Sequence, residues 1–381
     1  MIMDQNFEEL RPYYDEELPA AAQRVADSPY LPAINSFLFP QEPVEKLRGL
    51  LLDLRNVSDF QNRIMLPAIR SIIDKTSSGL TYSGFESLHD GRKRMFLANH
   101  RDILLDAAIL QVLLLENDLD TSEITFGSNL MQGSLVVDIG KMNKMFRIMR
   151  GGTVREFYKS STEVSSYMRY AILQKGQSVW IAQRNGRTKD GADKTDMAVL
   201  KMFALSSDKP FFENLKELNI TPLVISYEYE PCDFLKTQEL FISRYQKYEK
   251  ESGEDLNSIL HGIKQFKGHI HFVVTEAITE EELRHCDKLD RNQKFQRLSR
   301  IIDKRIYANY KLWPTNYIAY DLLHQSYRWR AQYTVEQQRA FVEYMNEGLG
   351  KLIGDEAELR DIFLSIYANP VQMVENLYEA E

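Results

Sequence analysis

The chain has 381 residues, 44% hydrophobic and 27% charged, the make-up of an ordinary globular protein long enough for about two to three domains or one domain with helical extensions. Its 55 acidic and 47 basic residues leave a net charge of −8, which excludes wholesale binding of nucleic acid, though not a local basic patch. Only two cysteines occur, Cys232 and Cys286, too few and too far apart for a disulfide framework or a metal-ligand cluster, so a reduced, cytoplasmic setting is expected.

The first residues, MIMDQNFEELRPYYDEEL, are acidic and lack the basic-then-apolar order of a secretory signal. From Phe7 to about Lys75 apolar residues recur at three- and four-residue spacing, which predicts an α-helical lead-in, region 1–75. Across 76–280 short β-branched and aromatic runs alternate with amphipathic stretches. RMFLAN, ITFGSNL, SVWIAQ, TPLVISYEY and HIHFVVTEA read as strands, separated by helices at 103–115, 133–149, 156–174, 194–205 and 234–248. The alternation predicts an α/β domain with a central mixed, largely parallel sheet flanked by helices, and chemistry at the strand ends. Region 281–381 is helical again, with helix ends at Trp313 and Pro314 and around Gly348 and Gly350. The apolar run at 103–115 carries Asp106 and Gln111 and falls short of the ~20 residues that span a bilayer, so no transmembrane helix is expected.

The stretch LANHRDILLD, from Leu97 to Asp106, carries the most chemistry. If RMFLAN is a strand and the run from Ile103 a helix, His100 lies at the strand-to-helix turn and faces a cleft. Asp102 suits the N-cap of that helix, and Asp106 lies one turn further on the same face. A carboxylate on one imidazole nitrogen fixes the tautomer and leaves the other nitrogen as a base. The plainer alternative is a loop histidine beside a capping aspartate. Asp106 weighs against it, because a carboxylate inside an apolar helix requires a partner.

Three further blocks follow in order: MFRIMRGG, with Arg150; WIAQRNGRTKDG, with Arg184, Gly186, Arg187 and Lys189; and ITPLVISYEY, with Pro222. Guanidinium groups beside a glycine after a strand suit an anionic group, since they bind phosphate bidentately; the alternative is a solvated turn. Together the four blocks, between Leu97 and Tyr229, resemble those of the glycerolipid acyltransferases, which include lysophosphatidate and glycerol-3-phosphate acyltransferases. The first block of that family is Asn-His, four residues, then Asp; here five residues separate His100 from Asp106. In the third block Asn185 stands where the family has an acidic residue, and no proline precedes it.

The resemblance implies direct transfer of an acyl group from an acyl carrier protein or coenzyme A thioester to a lysolipid hydroxyl, with no further cofactor and no metal. His100 is the implied base, oriented by Asp106 or, second, Asp102. Asn99, Arg101, Arg150, Gly186 and Arg187 fall on the substrate-binding side. The acceptor is expected to be lysophosphatidate-like, with an amino-acid lipid as the alternative. A hydrolase using water at the same base, or a non-catalytic lipid-binding protein of the same fold, remain as other classes. The enzyme is expected to work in the cytoplasm, peripheral to the inner face of a membrane.

Three other features complete the reading. KMNKMFRIMR, taken as a helix, puts Met142, Met145, Phe146 and Met149 in one stripe beside Lys141, Lys144 and Arg147, a surface able either to rest on an anionic bilayer or to pack in a core. His269 and His271 share one face of a strand without a third ligand nearby, and read as ordinary surface or core histidines. Tyr307, Tyr310, Tyr317 and Tyr320 are expected to pack against the sheet domain, since no basic groove accompanies them for stacking on nucleic acid.

Overall fold

A computed structural model describes residues 7–130, 133–149, 151–251 and 253–379. Among these, seven strands form one mixed sheet: β1 (Gly79–Ser83), β2 (Met95–Ala98), β3 (Glu123–Gly127), β4 (Met145–Ile148), β5 (Val179–Ala182), β6 (Ile220–Tyr227) and β7 (His269–Val274). The order across the sheet is β1-β7-β6-β2-β5-β3-β4, with every neighbouring pair parallel except β6 and β7. The predicted α/β architecture with helical extensions is therefore the observed one. The carboxyl ends of β2 to β6 lie along one edge, joined there by the amino end of the reversed β7.

Alternation along the strands builds two apolar layers. Met95, Leu97, Val179, Ile181, Ile220 and Val224 face helices Val154–Leu173, Met197–Phe203 and Arg291–Asn309. Phe96, Ala98, Trp180, Leu223, Ile225 and Phe272 face helices Leu66–Thr76 and Leu105–Glu116. Because both faces are covered, the strands are apolar throughout, and all eight residues of β6 are buried. The N-terminal helices enclose a cluster of their own around Leu18, Leu51 and Phe60, which Met142 joins. The C-terminal helices enclose another around Ile318, Phe341 and Phe363.

The expected helix at 133–149 is corrected. It stops at Met142; Lys144 takes a left-handed φ of 58° and Met145–Ile148 becomes β4, paired with β3. The methionine and phenylalanine spacing fits both periods, and pairing with β3 decides. Met142 and Phe146 are fully buried in different clusters, while Lys144 donates to Gln177 at 2.9 Å, so no amphipathic helix lies here to rest on a bilayer. The four tyrosines divide as well: Tyr310 packs in the sheet core and Tyr307 is buried, but Tyr317 and Tyr320 pack in the C-terminal cluster. His269 pairs with Glu228 and stacks on Trp313, while His271 meets Thr81, so the two rings have separate partners.

Helix Glu356–Glu379 reaches back over the carboxyl edge. Gly191 has φ 78°, and a Cβ there would come within 2.0 Å of the Ile366 carbonyl. Gly191→Ala is expected to lose about 2 to 4 kcal/mol of stability by urea unfolding, from backbone strain and from pushing that helix away.

Candidate active site

β2 delivers Asn99 and His100 to the carboxyl edge, and the chain then turns into helix Leu105–Glu116. Two aspartates satisfy the turn's amides. Asp102 Oδ1 accepts from Leu104 N at 2.9 Å and Leu105 N at 2.8 Å, an N-cap in function. Asp106 Oδ2 accepts from Arg101 N at 2.5 Å, Asp102 N at 2.9 Å and His100 Nδ1 at 2.8 Å. The remaining oxygen of Asp106 accepts from the Tyr227 hydroxyl of β6 at 2.9 Å. A carboxylate that only accepts leaves the proton on Nδ1 and the lone pair on Nε2 of His100. His100 is 9% exposed, its ring edge-on to Trp180 at 5.6 Å between centroids. The turn thus accommodates the five residues between them, and Asp106, not Asp102, holds the imidazole.

Asn99 and Arg101 turn inward, both with no exposed surface. Asn99 donates to Ile225 O and accepts from Ile225 N, locking β2 to β6, and also donates to Asp193. Arg101 donates to Asp193 Oδ2 at 2.6 Å, Glu230 Oε2 at 3.1 Å and Gly191 O at 3.2 Å, with its guanidinium over the Tyr310 ring. Lys236 completes the set by donating to Glu230 Oε1 at 2.6 Å and to the Arg101 carbonyl at 2.8 Å. Burial opposes the charge of Arg101, but Asp193 and Glu230 overcome it and hold its pKa well above the usual value. Both residues brace the turn from inside, and Arg101 Nε is enclosed without a protein partner. The sequence does not single out Asp193, Tyr227, Glu230 or Lys236, whose burial and pairing follow only from the packed sheet.

The loop after β5 is tied to the histidine, since Thr188 N donates to His100 O at 2.7 Å. Gly186 turns it with φ 78° and open space around its Cα, and Arg187 follows. Arg187 Nη1 is enclosed with no protein partner. The guanidinium lies near Cys232, whose thiol burial pushes up to about 11, with Asp102 adding to the rise and Arg187 opposing it. Arg184 and Asn185 border a cleft of about 360 Å³ with Asp190 and Lys194. Arg150 lies outside the described residues. A cleft of about 660 Å³ opens at the opposite edge, between Arg94, Lys216 and Glu280, and contains none of these groups.

Behind the turn, Asp102 Oδ2 has no protein partner and faces Gly262, where a Cβ would approach to 2.1 Å. Nearby Lys267 donates to Gln265 O at 2.6 Å and Thr76 Oγ1 at 3.0 Å; burial pushes its ammonium down to about 8, with Asp102 and Cys232 opposing. Among the described residues, no group of His, Cys, Asp and Glu converges to hold a metal ion.

No protein-family model matches the sequence, and no curated protein matches it. Among solved structures, the 1-acyl-sn-glycerophosphate (LPA) acyltransferase PlsC from Thermotoga maritima is similar at 11% sequence identity and a TM-score of 0.37, over 77% of this chain and 97% of that one. A likeness this distant concerns the course of the backbone alone.

Two outcomes test the site's construction. Tyr227→Phe leaves the buried Asp106 oxygen without a donor and is expected to lower stability by about 1 to 3 kcal/mol in urea unfolding. Folding lowers the pKa of Lys267 from 10.5 to about 8, so the unfolded chain binds the proton more tightly and wild-type stability rises with pH across that window. Lys267→Met removes this rise; the wild-type curve should gain up to about 3 kcal/mol on the variant's between the two values.

Proposed function

We propose that the protein is an O-acyltransferase that moves a fatty acyl group from an acyl carrier protein or coenzyme A thioester to a hydroxyl of a lysophosphatidate-type lipid. The observation that carries the reading is the His100–Asp106 pair. Nδ1 is committed to a buried carboxylate at 2.8 Å, and Nε2 is left as a base at the carboxyl edge of the sheet. The resemblance of the four sequence blocks supports the substrate class.

In this mechanism Nε2 takes the proton of the acceptor hydroxyl as its oxygen attacks the thioester carbonyl. The tetrahedral intermediate collapses, the carbon–sulfur bond breaks, and the departing thiolate takes the proton from the imidazolium. Asp106 stabilises that cation and keeps the ring oriented. Arg187, with an enclosed and unpartnered Nη1, meets the anionic head group of the acceptor. Asp102 caps the turn, and Asn99 and Arg101 hold it.

Purified wild type, His100→Ala and Asp106→Asn are each given acyl-acyl carrier protein or acyl-coenzyme A with pooled lysophosphatidate, glycerol 3-phosphate and lyso-amino-acid lipids, and products are read by mass spectrometry. The expected result is a new acylated lipid from wild type, with its rate reduced about 10²- to 10⁴-fold in His100→Ala and reduced in Asp106→Asn. Equal rates in wild type and His100→Ala overturn the assignment of the base. Thioester consumption unaffected by any acceptor makes the protein a hydrolase, and lipid binding without turnover makes it a carrier.

A further inference from the structure

Helix Val154–Leu173 is 20 residues long, about 30 Å, whereas the strands beside it have four or five residues and span roughly 13 to 17 Å. It therefore overshoots the sheet. Its buried residues begin at Ser161; Ser161, Val164, Ser165, Met168, Ala171 and Ile172 recur at three- and four-residue spacing, and Ser166, Tyr167 and Arg169 are buried beside them. Counted backwards, the same stripe runs on through Tyr158, Phe157 and Val154, which have nothing to pack on. Their exposures are 62%, 54% and 89%. Every residue from 151 to 159 is exposed, as is Met149 at the end of β4.

The projecting end is basic within an acidic chain. Among its described residues, the segment 147–159 carries Arg147, Arg155 and Lys159 against one acidic residue, Glu156. At 100° per residue, Arg155 stands beside the apolar stripe, while Lys159, 3.8 Å from Glu163, and Glu156, which accepts from the N-cap Thr153, lie on the opposite face. Apolar and aromatic side chains bordered by cations match the interface of an anionic bilayer, the former entering the acyl boundary and the latter meeting the head groups. β4 is parallel to β2, so this tip points off the same edge as His100, three strand spacings or about 14 Å to the side. No helix among the described residues is long and apolar enough to cross a membrane, so contact through this tip is interfacial.

We propose that the tip formed by Met149 and residues 151–159 is a docking surface for an anionic lipid bilayer, seating the molecule with its carboxyl edge toward the membrane. The orientation rests on the reading of that edge as the acyl-transfer site; the lipid contact itself does not.

The test is co-sedimentation of the full chain with vesicles of phosphatidylcholine alone and of phosphatidylcholine with about one third phosphatidylglycerol, at low and high salt. Wild type is expected to bind the anionic vesicles in a salt-sensitive way. Phe157→Asp and the pair Arg155→Glu with Lys159→Glu should each weaken binding about tenfold or more. Thermal unfolding should be unchanged, since these side chains are exposed. Absence of wild-type binding, or full binding by both variants, overturns the proposal. So does a wild-type dimer in analytical ultracentrifugation that Phe157→Asp dissolves while vesicles are ignored. Turnover on a water-soluble short-chain acceptor separates this from the proposed function. Phe157→Asp should keep that turnover and lose vesicle binding; a wild type that binds vesicles through the tip but transfers no acyl group sinks the acyltransferase reading and leaves the surface standing.

Discussion

The Asp106 carboxylate is the point on which the site depends. It is buried, and it accepts from the His100 ring, two consecutive backbone amides and the Tyr227 hydroxyl. A charge in that position is tolerable because its lone pairs are used. Those same bonds fix three things together: the tautomer of the imidazole, the path of the turn, and the seating of helix Leu105–Glu116 against β6. Chemistry and fold are therefore not separable here, and a change that frees one donor disturbs the others.

Around that carboxylate lies a second, larger compensation. Asp193, Arg101, Glu230 and Lys236 alternate in sign, each within 4% of complete burial, and sum to no net charge. Removing any one leaves an uncompensated charge in the interior, and breaking comparable buried pairs costs about 3 to 5 kcal/mol. The arrangement draws together the turn after β2, the loop after β5 and the start of helix Asp233–Tyr245. What it contributes is a fixed frame for the histidine, whereas Arg187 stands outside it with Nη1 enclosed and unpartnered.

The sequence revealed the five strands whose apolar runs are long and bounded by turns, and it revealed the His100–Asp106 pairing through a carboxylate stranded in an apolar helix. It concealed β1, whose residues are half-buried or exposed and carry no alternation, and β4, whose Met-Phe spacing reads equally as helix. It also concealed the role of Arg101. An arginine beside His100 suggests ligand contact, and the carboxylates that bury it are 92 and 129 residues away in the chain. Which charges pair across such separations is set by the packed sheet.

Helix Glu356–Glu379 clamps the loops behind the buried quartet. Tyr367 donates to Asp233 and accepts from Glu230 N, Asn369 donates to Asp190 O, and the Ile366 carbonyl abuts Gly191. These contacts close loops of 134 to 179 residues, onto the two loops that carry Glu230 and Asp193. Local opening of this helix alone strips the outer support from the buried quartet while the sheet stays whole. Undocking of Glu356–Glu379 therefore loosens the turn that carries His100 before the sheet unfolds.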